Sequence, residues 1–123
     1  WLIDRLTKKI KTPIVTDIYN NFLWAGQAAD AVWISLKLNQ FGQIFHIAGR
    51  DCLRRFDFAQ KVTQIFTLKS HLLTPVASSY FTQIAPRSKN TCFKTVKMEN
   101  VLHIKPLSVN AGLRLMKVEK GHT

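Results

Sequence analysis

Cations supply the most conspicuous chemistry in this chain. Arg87, Lys89, Lys94 and Lys97 follow one another in one polar stretch; Arg50, Arg54 and Arg55 form a second group, and Arg5, Lys8, Lys9 and Lys11 a third. Lys and Arg number 18 against 7 Asp and Glu, a formal net charge of +11. Such an excess favours anionic partners, whether phosphates, nucleic acid or an acidic membrane surface, and it equally suits a solvated basic face. Cys52 and Cys92 have no CxxC neighbour, and His46, His71, His103 and His122 show neither i,i+4 nor zinc-finger spacing. All six read as isolated structural residues, His46 as a buried one inside an apolar run. A disulfide framework is not expected, which fits a cytosolic protein. No helix-turn-helix, RNP aromatic motif or zinc signature accompanies the charge, which argues against a nucleic-acid-binding module.

The elements that must position these cations follow from hydrophobic spacing. Leu2, Ile3, Leu6 and Ile10 predict a first helix over 2–10, stopped by Pro13, and Ile14–Thr16 a short strand. Asp17–Asn21 suits a turn. From Trp24 to Leu38, Ala25, Ala28, Ala29, Val32, Trp33 and Leu36 share one broad helical stripe, with Gly42 as a left-handed cap. Ile44–Ala48 is apolar without alternation, as in a strand buried on both faces of a parallel sheet. A helix over Arg55–Leu68 turns Phe58, Ala59, Val62, Ile65 and Phe66 inward, and Leu72–Ala77 is extended around Pro75. Residues 78–90 form a loop. A short helix covers Val96–Leu102, and Ser108 caps a last helix over Val109–Val118. The tail from Glu119 to Thr123 is expected to fray.

With 123 residues and 46% apolar content, the chain is long enough for one compact domain with a real core. It contains no apolar run of about 18 residues, so no transmembrane helix is expected. The opening stretch WLIDRLTKKIKT carries charges throughout and lacks the apolar centre of a signal peptide. Beginning on Trp1 rather than Met, the chain is expected to be a processed form or a fragment. The helix–strand alternation is α/β in character. Yet Ile44–Ala48 finds no sheet partner in the sequence, and an unpaired buried strand leaves backbone groups unsatisfied.

Five motifs in order resemble the dTDP-4-dehydrorhamnose reductase family, a branch of the extended short-chain dehydrogenases. They are Thr16–Trp24 followed by Ala28-Ala29; Gly42–Gly49; Leu53–Ala59; Ala85–Lys97; and Ile104–Leu107 with Gly112–Arg114. Phe22-Leu23 replaces a Pro-Thr pair of the family, Ser88 a second Pro, and Arg54 stands where a capping Ser is frequent. Loss of that cap costs about 1 kcal/mol, unless Asp51 takes it over.

The resemblance implies an α/β fold that is the C-terminal part of an extended short-chain dehydrogenase: the last Rossmann strand and helix plus a small substrate-binding lobe, as one unit over 1–123. It also implies a longer NAD(P)H-dependent sugar-nucleotide reductase in dTDP-L-rhamnose biosynthesis, whose N-terminal half binds NADP or NAD and carries a Tyr-x-x-x-Lys pair. This chain has no GxGxxG, and Tyr19 and Tyr80 are followed four residues on by Leu23 and Ile84. It is therefore expected to bind no cofactor and to be inactive alone. By the same resemblance Arg87 meets the diphosphate of a nucleotide-sugar, for which a guanidinium fork is suited. Lys89 and Lys97 add charge to that loop, while Asn20, Asn21 and Trp24 line the sugar or base side. Expected partners are a dTDP-linked deoxysugar, the absent Rossmann half and, as an option, a second copy in a homodimer. No membrane or nucleic acid is expected, and the expected location is the cytoplasm. An alternative is a non-catalytic family member serving as a regulatory subunit, of the kind attached to methionine adenosyltransferase.

Overall fold

In the computed structural model, which describes residues 1–85 and 87–121, chain order runs α1 (Leu2–Thr7), β1 (Thr12–Val15), β2 (Tyr19–Asn21), α2 (Ala25–Lys37), β3 (Cys52–Arg54), α3 (Arg55–Ile65), β4 (Leu73–Val76), α4 (Val96–Leu102) and α5 (Val109–Glu119). Single 3-10 turns at Ser70–Leu72 and Ser78–Tyr80 flank β4. Pro86 of the Ala85–Lys97 motif, and His122 and Thr123 of the tail, lie outside the described residues.

β1 and β4 pair in parallel, Thr12 opposite Leu73 and Val15 opposite Val76. The connection between them includes α3, whose Ala59 packs with Leu6, Ile14, Leu72 and Leu73 in one core cluster. On its other side α3 meets α5 through Val62, Phe66, Val109 and Leu113. The inward stripe expected for α3 is thus present, with Ala59, Val62 and Phe66 buried. Ser108 accepts a hydrogen bond from the Ala111 amide and caps α5 as expected. Asp51 joins it there, accepting from the Val109 amide at 2.8 Å, and so serves α5 rather than α3. At the start of α3, Arg54 instead forks onto the Asp57 carboxylate at 2.8 and 3.0 Å.

Five expectations are corrected. Residues 19–21 are a strand rather than a turn: β2 pairs antiparallel with β3, Asn21 opposite Cys52, and bridges in parallel to Asn90. Ile44–Ala48 joins no sheet among the described residues. Its Ile44 is exposed, while Ala48 is buried and Phe45 and Ile47 pack against Met98, Leu102 and Ile104. The parallel sheet strands among the described residues are β1 and β4, and without a neighbouring strand the apolar run is held by side-chain packing and by the Lys97 bond to the Ile44 carbonyl. His46 is correspondingly exposed and stacks on Phe93. The α2 stripe also turns the other way: Gln27 and Ala31 are buried, whereas Val32, Trp33 and Leu36 are exposed. The Gln27 amide explains the rotation, donating to the Lys105 carbonyl and accepting from the Leu107 amide. Finally, Cys52 and Cys92 are not isolated but form a disulfide, with Cα atoms 5.7 Å apart. Forty residues of sequence separation conceal the pairing. β2 creates it by holding Cys52 on one edge while the Asn21 side chain accepts from the Phe93 amide on the other.

Helix ends show a shared device. In α1, Ile10 and Lys9 amides return to the Arg5 and Leu6 carbonyls, with Lys9 left-handed at φ 58°, so the helix stops well before Pro13. In α2 the left-handed residue is Asn39 (φ 53°), and Gly42 (φ 70°) belongs to the following turn. After α3 the same place falls to Thr67 at φ 55°, a costly choice for a β-branched residue. Thr67→Gly is accordingly expected to stabilise the chain by about 1 kcal/mol, read as a rise in thermal midpoint. An unchanged or lower midpoint would count against a strained Thr67.

Candidate functional site

The basic loop leaves β4 through an anchor built by Asp17. Its carboxylate accepts from the Ser78 amide at 2.8 Å and from the Ser78 hydroxyl at 2.9 Å, and Lys89 stands 3.5 Å away. The Ser78 hydroxyl, then its amide, then the Lys89 charge hold the Asp17 carboxyl below its ordinary pKa. A lowered folded pKa gives stabilisation that is complete above the unfolded value and is lost as pH falls through the folded one. The Ser78 amide resonance is therefore expected to titrate only below about pH 4, with the loop loosening in that window. A midpoint above that value would contradict the anchor.

At the loop's far end, the Tyr19 amide donates to the Lys89 carbonyl and the Thr91 amide to the Tyr19 carbonyl, at 2.7 and 3.1 Å. Asn20 accepts from Arg55 Nε at 2.8 Å and donates to the Thr91 hydroxyl. Between the two anchors, Arg87 and Lys89 line an open cavity of about 590 Å³ with Ile18, Ser78, Phe81 and Gln83. An adjoining space of about 300 Å³ is lined by Arg87, Arg55, Gln83 and Thr82 over Val15 and Ile18. Among the described residues no carboxylate lies within ion-pair distance of Arg55 or Arg87. The Gln83 Oε1 atom is buried without a donor. Two arginines and Gln83 therefore line one region, an arrangement suited to an anion.

The sequence-derived candidates separate in space. Arg87 and Lys89 share a cavity. Asn21 braces the two-stranded β2–β3 ribbon, donating to the Gly49 carbonyl at 3.0 Å and accepting from the Phe93 amide at 2.6 Å. Trp24 lines a different, mostly apolar cavity against α5, and its indole N–H donates to Glu119. Lys97 on α4 bonds Gln43 Oε1 and the Ile44 carbonyl at 2.9 and 3.0 Å and lies over the Phe45 ring. It thus holds the 43–45 segment. Arg55 and Gln83 escaped sequence reasoning. A signal for Arg55 existed: Asp57 lies three residues beyond Arg54 and satisfies it, leaving the next arginine without a local partner. Nothing local marks Gln83, whose burial depends on the loop's return.

Among the described residues no group of three or more His, Cys, Asp or Glu is placed to hold a metal ion, and no helix is long and apolar enough to cross a membrane.

Comparison with known structures assigns the fold. The dTDP-4-dehydrorhamnose reductase from Yersinia enterocolitica superposes with a TM-score of 0.78 at 20% identity, over 93% of this chain and 40% of its own. The reductase from Bacillus anthracis, in complex with NADP, gives 0.77 at 20% identity, over 96% and 41%. That from Clostridium acetobutylicum gives 0.83 at 17%, over 97% and 42%. This chain is thus an α/β unit with the fold of part of those reductases, spanning about 40% of their length. No curated protein matches it. The model of the RmlD substrate binding domain matches residues 2–120, nearly the whole chain with β1, β4, the ribbon and the basic loop, and so the chain belongs to the RmlD substrate binding domain family.

Proposed function

We propose that this chain is the nucleotide-sugar-binding part of a dTDP-4-dehydrorhamnose reductase-like oxidoreductase of dTDP-L-rhamnose biosynthesis, acting in the cytoplasm and inactive alone. The observation that carries the reading is that Arg55 and Arg87 line one opening beside the anchored basic loop. A diphosphate satisfies the two guanidinium groups. Arg87 contacts the diphosphate, with Lys89 adding charge. Asn21 supports the site through the ribbon, and Trp24 and Lys97 shape the lobe around it.

The sequence contains no GxGxxG to cradle a dinucleotide, so the residues present do not fit NADP or NAD. In this proposal an N-terminal Rossmann half binds that cofactor and supplies the redox chemistry. The whole enzyme, as a monomer or homodimer, would close the sugar between the two parts. That β1 has no second strand neighbour among the described residues supports such a half.

The reading is tested by calorimetry with dTDP. Arg87→Ala is expected to weaken binding by roughly 10- to 100-fold, the range for a charge-assisted contact of about 1.5–3 kcal/mol. Equal affinity in variant and parent would overturn the site. The chain alone is expected to oxidise no NADPH, and measurable turnover would refute the division of labour.

A further inference from the structure

We propose that Cys52–Cys92 is a reversible thiol–disulfide exchange site that locks the basic loop onto the β2–β3 ribbon. Its effect on ligand affinity rests on the function proposed above; the lock itself does not.

The bridge lies at the mechanically relevant end of the loop. Cys52 sits on β3 opposite Asn21, and Cys92 follows Asn90 and Thr91, which pair with Tyr19 on the other edge of β2. β2 is thus flanked by both partners of the disulfide. The bond closes a ring that contains α3, β4 and the whole stretch bearing Gln83, Arg87 and Lys89. At its start that stretch is held by Asp17 and Ser78. At its end the non-covalent ties are two backbone hydrogen bonds to Tyr19, the Thr91 hydroxyl on the Tyr19 carbonyl, the Asn20–Thr91 side-chain contact, the Asn21–Phe93 bond and the His46–Phe93 ring stack. All of these are at exposed positions or on the short ribbon, where local opening costs little. The covalent link therefore decides whether the Arg87 loop is fixed or frays.

Access is open from one side, since Cys52 is exposed and Cys92 half-buried. The reductant is a dithiol of the CxxC class. Its thiolate attacks Cys52 Sγ, the Sγ–Sγ bond breaks, and Cys92 leaves as a thiolate that takes up a proton. The second reductant thiol then attacks the mixed disulfide. Cys52 is released, takes up a proton, and the reductant is left as a disulfide, with two electrons and two protons transferred in all. In a reducing compartment such a bond is held open by dithiol reductants, and in an oxidising one it stays closed.

The test uses the 123-residue chain, air-oxidised or treated with dithiothreitol. Without reductant, iodoacetamide under denaturing conditions is expected to add no label, and after reduction two. Amide exchange at Thr91, Cys92 and Phe93 is expected to quicken at least about 5-fold on reduction, and dTDP to bind about 2- to 10-fold more weakly, the scale of re-ordering one or two side chains. Two labels before reduction, or unchanged exchange in the two states, overturns the lock. A quickened exchange with unchanged dTDP affinity overturns its effect on the ligand. If dTDP binds neither state, the function proposed above fails while the exchange contrast still decides the lock. The double variant Cys52→Ser/Cys92→Ser should reproduce the reduced behaviour without reductant, and reduction of the native chain gives the answer should that variant not fold.

Discussion

Gly49→Ala is expected to lower stability by about 3 kcal/mol, seen as a lower denaturant midpoint at unchanged slope. The residue is not among those with positive φ, so the reason is space rather than conformation. A Cβ built there overlaps the carbonyl oxygen of Phe22 and reaches the Leu107 carbonyl. Neither neighbour can step aside cheaply. Phe22 is stacked on Phe58 of α3 with ring centres 3.7 Å apart, the Gly49 carbonyl accepts from Asn21, and the next amide, Arg50, donates to Leu107 at 2.9 Å. Relief of the overlap would pull on Asn21, which also holds Phe93. Gly49 thus joins the ribbon, α3 and the segment before α5 through backbone approach alone. A loss below about 0.5 kcal/mol, ordinary for a surface change, would mean that these segments separate freely.

A second large effect is expected from Met98→Ala, about 3 kcal/mol from lost burial plus the cavity left behind. Met98 is 0% exposed and centres the cluster of Ala31, Leu102 and Ile104, with Phe45 and Ile47 against it. Among the described residues the apolar run 44–48 has no ladder bonds to hold it, so this cluster, the Lys97 contacts and the His46–Phe93 stack fix its position. Faster hydrogen exchange around 43–48 should therefore accompany the loss. Val96→Ala on the same helix, at a position 59% exposed, is the control and should change stability by less than about 0.5 kcal/mol. Equal losses at the two positions would show that the cluster contributes no more than the helix surface.

Helices were the legible part of this chain, because their inward residues repeat at a spacing that survives without context. The stripe Ala59, Val62 and Phe66 and the Ser108 cap could be read directly. Strands were legible only where partners lay inside the chain. Ile44–Ala48 has the composition of a buried strand but not its pairing, whereas Tyr19–Asn21, polar and short, becomes a strand because Cys52–Arg54 and Asn90 lie on either side. The α2 stripe was misjudged because apolar spacing cannot reveal that a glutamine will satisfy two backbone groups and claim the buried face. At the candidate site, Arg87 and Lys89 were visible from loop composition and resemblance. Arg55, Gln83 and the disulfide were not, since each acquires its place through long-range closure.

That closure has a consequence for how the chain comes into being. β1 finds its partner only at Leu73–Val76. At a synthesis rate of about 5–20 residues per second the wait is about 3–12 s. Throughout it, Ile14 and Val15, both destined for the interior, stand beside α1 with neither backbone edge paired by this chain's own strands. A nascent polypeptide in that state is a substrate for chaperones and for neighbouring chains alike. The yield of folded molecules should therefore respond to translation speed and chaperone supply more strongly than the stability of the finished product would suggest.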